Sequence, residues 1–152
     1  MELLYTMKTK YTYDEFKKYT RAILPTKRFI AVFAAMLVLL GLASYITGSL
    51  FYVIFALIYP FVMFFLQSRQ IKRTYNSNKI IQDLEVSFDF YDTYFIEKTE
   101  HGETKVEYEM LHKTVETKTN FYLMTAKNQG YIMPKSQMPE GLAEFLGKLK
   151  RK

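Results

Sequence analysis

From Phe29 to Leu66 the chain carries no Asp, Glu, Lys, Arg or His. All of its charge, 21 Lys and Arg and 15 Asp and Glu, lies outside that run. Crossing a hydrocarbon core of about 30 Å takes roughly 20 helical residues. Phe29–Thr47 and Ser49–Gln67 each come close to that length, and Thr47-Gly48-Ser49 between them is an uncharged turn. A single helix over the whole run would overshoot a bilayer, so residues 28–68 read as a hairpin of two transmembrane helices, about 29–47 and 49–67. A secretory signal would begin near residue 1, whereas 28 mostly polar residues come first. A hairpin buried in a soluble core would show a polar stripe, and this run has none.

Lys17, Lys18, Arg21, Lys27 and Arg28 precede the hairpin, and Arg69, Lys72 and Arg73 follow it. These eight basic residues are the expected membrane-interface set. The excess of Lys and Arg on both flanks, against an uncharged turn, places both chain ends in the cytoplasm as a two-pass protein. Gly41, Ser44 and Gly48 form a small-residue series that suits close helix packing, although glycine is also simply common in such helices. Pro60 is expected to kink the second helix. Without an ionisable group the hairpin offers no path for ions or protons.

The rest of the chain alternates between strand and turn patterns. Residues 1–12 read as a strand. Thr12-Tyr13-Asp14-Glu15 matches a capping box, which starts a short amphipathic helix over 13–25 that Pro25 ends. Its Phe16, Tyr19 and Ile23 share one face, as in an interfacial helix or one packed on the soluble domain. Residues 69–82 prolong the second membrane helix as a juxtamembrane helix or linker. From residue 83 to 152 the period is two. Strands are expected at Leu84–Phe90, Thr93–Thr99, Thr104–Met110, Lys113–Lys118, Phe121–Ala126 and Tyr131–Met133. A helix starting at Pro139-Glu140 then carries an apolar stripe of Leu142, Phe145, Leu146 and Leu149.

Seven strands and a C-terminal helix are the elements of a pleckstrin-homology-like (PH-like) antiparallel barrel. The expected fold is thus α+β with a membrane anchor, the two-helix hairpin inserted after the first strand of such a barrel. Gly102-Glu103-Thr104-Lys105-Val106-Glu107-Tyr108, Val115-Glu116-Thr117 and Tyr131-Ile132-Met133-Pro134-Lys135, with the helix of Leu142, Phe145 and Leu146, resemble the YcxB-like proteins of bacteria. The resemblance extends over nearly the whole chain. It implies a protein of the bacterial inner membrane with a PH-like domain, and supplies no catalytic motif.

Charge is unevenly spread. Residues 1–28 are net +4, 69–82 net +4, 83–147 net −6 and 148–152 net +4. An acidic β domain argues against nucleic acid as a ligand, which requires a basic footprint. The absence of cysteine removes disulfides and thiolate metal sites. His101 and His112 are too few for a histidine metal centre, and no phosphate loop or zinc pattern occurs. Glu97, Glu103, Glu107, Glu109 and Glu116 lie on strands that direct several of them outward. No catalytic residue, metal or cofactor is therefore expected. The expected function is a membrane-anchored, non-catalytic cytoplasmic module that binds or regulates a membrane protein or peptide partner. The alternative is an immunity or resistance protein against a membrane-active toxin, with the hairpin as the working part. Homo-oligomerisation through the small residues is a third route.

Overall fold

A computed structural model of the chain describes residues 2–23 and 26–149, less the side chains of 26–29. Pro25, the side chains of Lys27 and Arg28, and residues 150–152 lie outside the described residues. The chain divides into two compact units, one of Met1–Ile23 with Tyr75–Lys152 and the other of Leu24–Thr74.

The second unit is the hairpin. Helices α2 (Thr26–Thr47) and α3 (Phe51–Ser77) are each long and apolar enough to cross a membrane. Pro60 lies inside α3, which continues through it as one element. No residue from 30 to 70 is buried, and water-soluble folds rarely leave so large an apolar surface uncovered. Half-buried positions recur at helical spacing, Phe33, Met36, Leu40 and Ala43 on α2 and Tyr52, Ala56, Tyr59 and Met63 on α3. These positions share one face of each helix. The turn satisfies its own polar groups, as backbone in or near hydrocarbon must. The Ser44 hydroxyl donates to the Ser49 carbonyl at 2.9 Å and the Thr47 hydroxyl to the Ala43 carbonyl at 2.7 Å. The Phe51 N–H donates to Ser49 Oγ at 3.3 Å, capping α3. Gly48 makes the reversal with φ +65°, left-handed backbone that favours glycine.

The other unit is built from strands β1 (Tyr5–Lys10), β2 (Glu85–Phe90), β3 (Tyr94–Thr99), β4 (Gly102–Glu107), β5 (Lys113–Glu116), β6 (Asn120–Ala126) and β7 (Gln129–Pro134), with helices α1 (Tyr13–Ile23) and α4 (Leu142–Leu149). β1 pairs antiparallel with β2, from Tyr5 opposite Phe90 to Lys10 opposite Glu85. The hairpin is therefore inserted between two neighbouring strands. The expected closed barrel is corrected here. The strands form two antiparallel sheets, β1-β2-β3-β4 and β5-β6-β7. The expected strand Thr104–Met110 stops at Glu107, because Tyr108–Met110 is a turn of 3₁₀ helix. The Tyr108 N–H donates to the Thr93 carbonyl at 3.0 Å and its hydroxyl to the Tyr91 carbonyl at 2.8 Å. Those bonds turn the chain out of the first sheet before β5 begins.

The two sheets enclose an aromatic and aliphatic core. Phe88, Phe90 and Phe95 of the first sheet and Leu123, Met124 and Met133 of the second have no exposed surface. α4 contributes Leu142 and Leu146, also without exposure, and half-buries Phe145 and Leu149. It starts two residues later than the sequence suggests, after Gly141 at φ +84°. A Cβ on Gly141 would come within 2.9 Å of the Tyr5 hydroxyl.

Five successive residues of β6, Asn120–Met124, are buried, so both of its faces are covered. α1 supplies one cover. Tyr19 is buried, meets Tyr122 edge-on at 5.5 Å between ring centroids and donates to the Asn128 carbonyl at 3.2 Å. The apolar face of α1 is thus spent on the β unit and not left for lipid. Only half of the expected capping box forms. The Glu15 N–H donates to Thr12 Oγ1 at 3.4 Å, while the Glu15 carboxylate instead receives Lys18 Nζ at 2.6 Å and the Asn120 amide.

Candidate binding cleft

Strands β4 and β5 are each paired on one side only. Alternate N–H and C=O groups along such an edge lack a ladder partner and are open to another chain. Where the first sheet gives way to the second there is a cavity of about 770 Å³. Glu107 and Tyr108 line it from the end of β4, Leu111 and Lys113 from the start of β5, Asp92 from the β2–β3 turn and Leu149 from the end of α4.

Tyr108 is the floor of this cleft. Its ring stacks on Phe95 at 6.2 Å and meets Phe145 edge-on at 5.8 Å. Burial and the Asp92 carboxylate push its hydroxyl well above the ordinary tyrosine range, so it stays a neutral donor to Tyr91. Around that apolar floor the rim is charged. Asp92, Glu107 and Glu109 are exposed on it, with His112 and Lys113 as the basic members. Lys105, outside the cleft, holds Glu107 at 3.4 Å.

A second cavity, of about 480 Å³, lies against β1, β2 and β3. Two of its three lysines are already neutralised, Lys10 by Asp83 at 3.7 Å and Lys98 by Asp89 at 2.9 Å. Burial pushes Asp89 up, but hydrogen bonds from Lys98 and Thr6 outweigh it and hold the carboxyl below its usual range. The second cavity borders one edge strand, β1, whereas the first lies where two edge strands, β4 and β5, follow one another and has three exposed carboxylates.

Of the residues singled out from the sequence, Lys17, Lys18 and Arg21 lie on α1 in the β unit, and Arg69, Lys72 and Arg73 on α3 in the other. Lys17 sits 5.9 Å from the Tyr13 ring centroid and Arg69 sits 4.9 Å from that of Phe65. Ser44 bonds to the carbonyl of Ser49, next to Gly48 in the hairpin turn. Gly41 stands apart from them, and a Cβ built on it would meet nothing within 4 Å. His101 is exposed beside Glu100, 3.5 Å away, whereas His112 reaches the cleft. Glu103, Glu107, Glu109 and Glu116 face outward, but Glu97 lies on the core side of β3 with Phe95. Burial raises its carboxyl above the usual range. Among the described residues no three His, Asp or Glu side chains are placed to hold a metal.

Sequence reading missed the cleft, since its parts come from three elements far apart in the chain.

Residues 90–149 match the YcxB-like protein family. The YcxB-like segment runs from the last residue of β2 to the last of α4, and so takes in β3 to β7 and every residue that lines the cleft. β1, α1 and the hairpin lie outside it, so the match is narrower than the resemblance read from the sequence. No curated protein and no solved structure matches the chain.

Proposed function

We propose that the protein is a non-catalytic binding module of PH-like type, tethered to the cytoplasmic face of a bacterial membrane by its hairpin. The cleft between β4 and β5 takes up an extended segment of another membrane protein. The observation that carries this reading is the pair of unpaired strand edges beside an open cavity with a neutral aromatic floor. A segment laid along such an edge gains main-chain hydrogen bonds, while side-chain pockets select its sequence. Two sheets closed on one side by a C-terminal helix also favour the PH-like assignment.

Support for the tether comes from the uncovered apolar surface of α2 and α3, the self-satisfied turn and the basic flanks. Tethering raises the local concentration of the module near other membrane proteins, which suits a small interface. Replacing residues 29–67 with an unrelated two-helix hairpin tests the assignment. A binding module keeps its partner and its cellular effect after the exchange. An immunity protein that works through its hairpin loses both, and that result would overturn the reading.

A further inference from the structure

We propose that the segment held in the β4–β5 cleft is basic, of the kind that borders a transmembrane helix on its cytoplasmic side. This rests on the reading of the cleft as a site for an extended segment, and adds the chemistry of the occupant.

The rim carries three exposed carboxylates, Asp92, Glu107 and Glu109, against Lys113 and a histidine. Asp92 and Glu109 have no ion pair among the described residues, and the Glu107 pair with Lys105 is an exposed one at 3.4 Å. Exposed pairs of this sort exchange readily for a better partner. The segment from 83 to 147 is net −6, the same sign as the rim, while residues 148–152 at the end of the chain are net +4. An anionic lipid headgroup is repelled by such a site, and so is an acidic peptide. A cationic strand fits it. Its main chain pairs with an edge, its apolar side chains meet Tyr108, Leu111 and Leu149, and its alternate Lys or Arg side chains reach the carboxylates. Lysine and arginine are enriched where membrane proteins meet the cytoplasm, so a tethered acidic cleft is surrounded by segments of this composition.

The test uses the full chain in micelles of an uncharged detergent. Fluorescent peptides of alternating Val-Lys, Val-Glu and Val-Ser sequence are titrated by anisotropy, against the natural chain and against the triple variant D92N/E107Q/E109Q. The proposal expects the Val-Lys peptide to bind at least about tenfold more tightly than Val-Glu, to weaken as salt is raised, and to lose about tenfold on the triple variant. Equal or tighter binding of Val-Glu or Val-Ser would overturn the basic occupant and leave the cleft as a peptide site. Val-Lys binding that the triple variant does not weaken would also overturn it. If no peptide binds, or if the chain only self-associates through this edge, both the occupant and the cleft reading fall.

Discussion

The hydroxyl of Tyr75 donates a hydrogen bond to the main-chain carbonyl of Tyr11 at 3.0 Å, joining the last turn of α3 to the end of β1 across 64 positions of sequence. The same oxygen accepts the Asp83 N–H at 3.1 Å, and the Tyr75 carbonyl accepts the Gln82 side-chain amide at 3.1 Å. Its ring packs against Tyr13 and Phe16 at 5.6 Å each. Asp83 is the one described non-glycine residue with positive φ, at 54°, so Tyr75 also fixes the turn that leads into β2.

Removing that hydroxyl leaves the Tyr11 carbonyl short of a partner in a buried site and frees the partly buried Asp83 N–H. Tyr75→Phe is therefore expected to destabilise the β unit by about 1–3 kcal/mol. Denaturant unfolding of the full chain in detergent, followed by near-ultraviolet circular dichroism, measures this. Faster amide exchange at Asp83 than in the natural chain is expected alongside it.

Two glycines are expected to respond in opposite directions. A Cβ on Gly130 would lie 2.8 Å from the Leu123 carbonyl oxygen and 3.0 Å from the Met124 Cα, against backbone that cannot yield cheaply. Gly130→Ala is expected to lower stability by about 1–3 kcal/mol. Gly147 lies within α4, and a Cβ there meets nothing within 4 Å. Gly147→Ala is expected to raise stability by up to about 1 kcal/mol through helix propensity. Paired melting curves decide both.

Glu97 gives the fold a pH dependence of defined sign. Burial holds its folded pKa above the unfolded value, which is about 4.3. Folding accordingly takes up a proton in the interval between the two values. The contribution of Glu97 is most favourable below pH of about 4 and is lost as pH rises through the folded value. Glu97→Gln is expected to raise the melting temperature at pH 7, with the gain shrinking as pH falls toward 4. Asp89 acts with the opposite sign. Its lowered carboxyl stabilises the fold at neutral pH and ceases to do so as acid protonates it. Asp89→Asn is therefore expected to be destabilising at pH 7 and close to neutral at strongly acid pH.

The absence of cysteine makes the topology directly readable. Single cysteines at Ser49, Thr6 and Glu103 are expected to separate into two classes toward an impermeant thiol reagent applied to intact cells. Cysteine at Ser49 reacts, and the other two react only after the membrane is opened. Labelling of all three from outside, or of none, would refute the two-pass arrangement.

Much of the fold was legible where a single physical signal dominates a stretch of chain. The hairpin follows from the charge-free run, and Gly48 lies at its reversal with φ +65°. The apolar stripe of α4 follows from Leu142 and Leu146 one turn apart, and the strands from alternation. What was not legible depended on distant partners. Nothing local in Thr104–Met110 reveals that Tyr108 bonds to Tyr91 and Thr93 and so ends the strand, and with it the closed barrel. The burial of Tyr19 depends on Tyr122, 103 residues further along, and this separates a packed helix from an interfacial one. Glu97 reads like its exposed neighbours until the register puts it beside Phe88. The cleft was hidden for the same reason, since the turn at Asp92, the strand end at Glu107 and the helix end at Leu149 meet only in the folded chain.

The central claim is that the β4–β5 cleft holds a segment of another membrane protein. In-cell photo-crosslinking tests it most directly, with a photoreactive residue placed at Glu107 or Lys113 on the cleft and at Lys127 as a control outside it. The account predicts a reproducible adduct with a second membrane protein from both cleft positions and not from Lys127, mapping to an extended segment beside a transmembrane helix. Adducts confined to lipid or to the chain itself, or equally strong from Lys127, would contradict it.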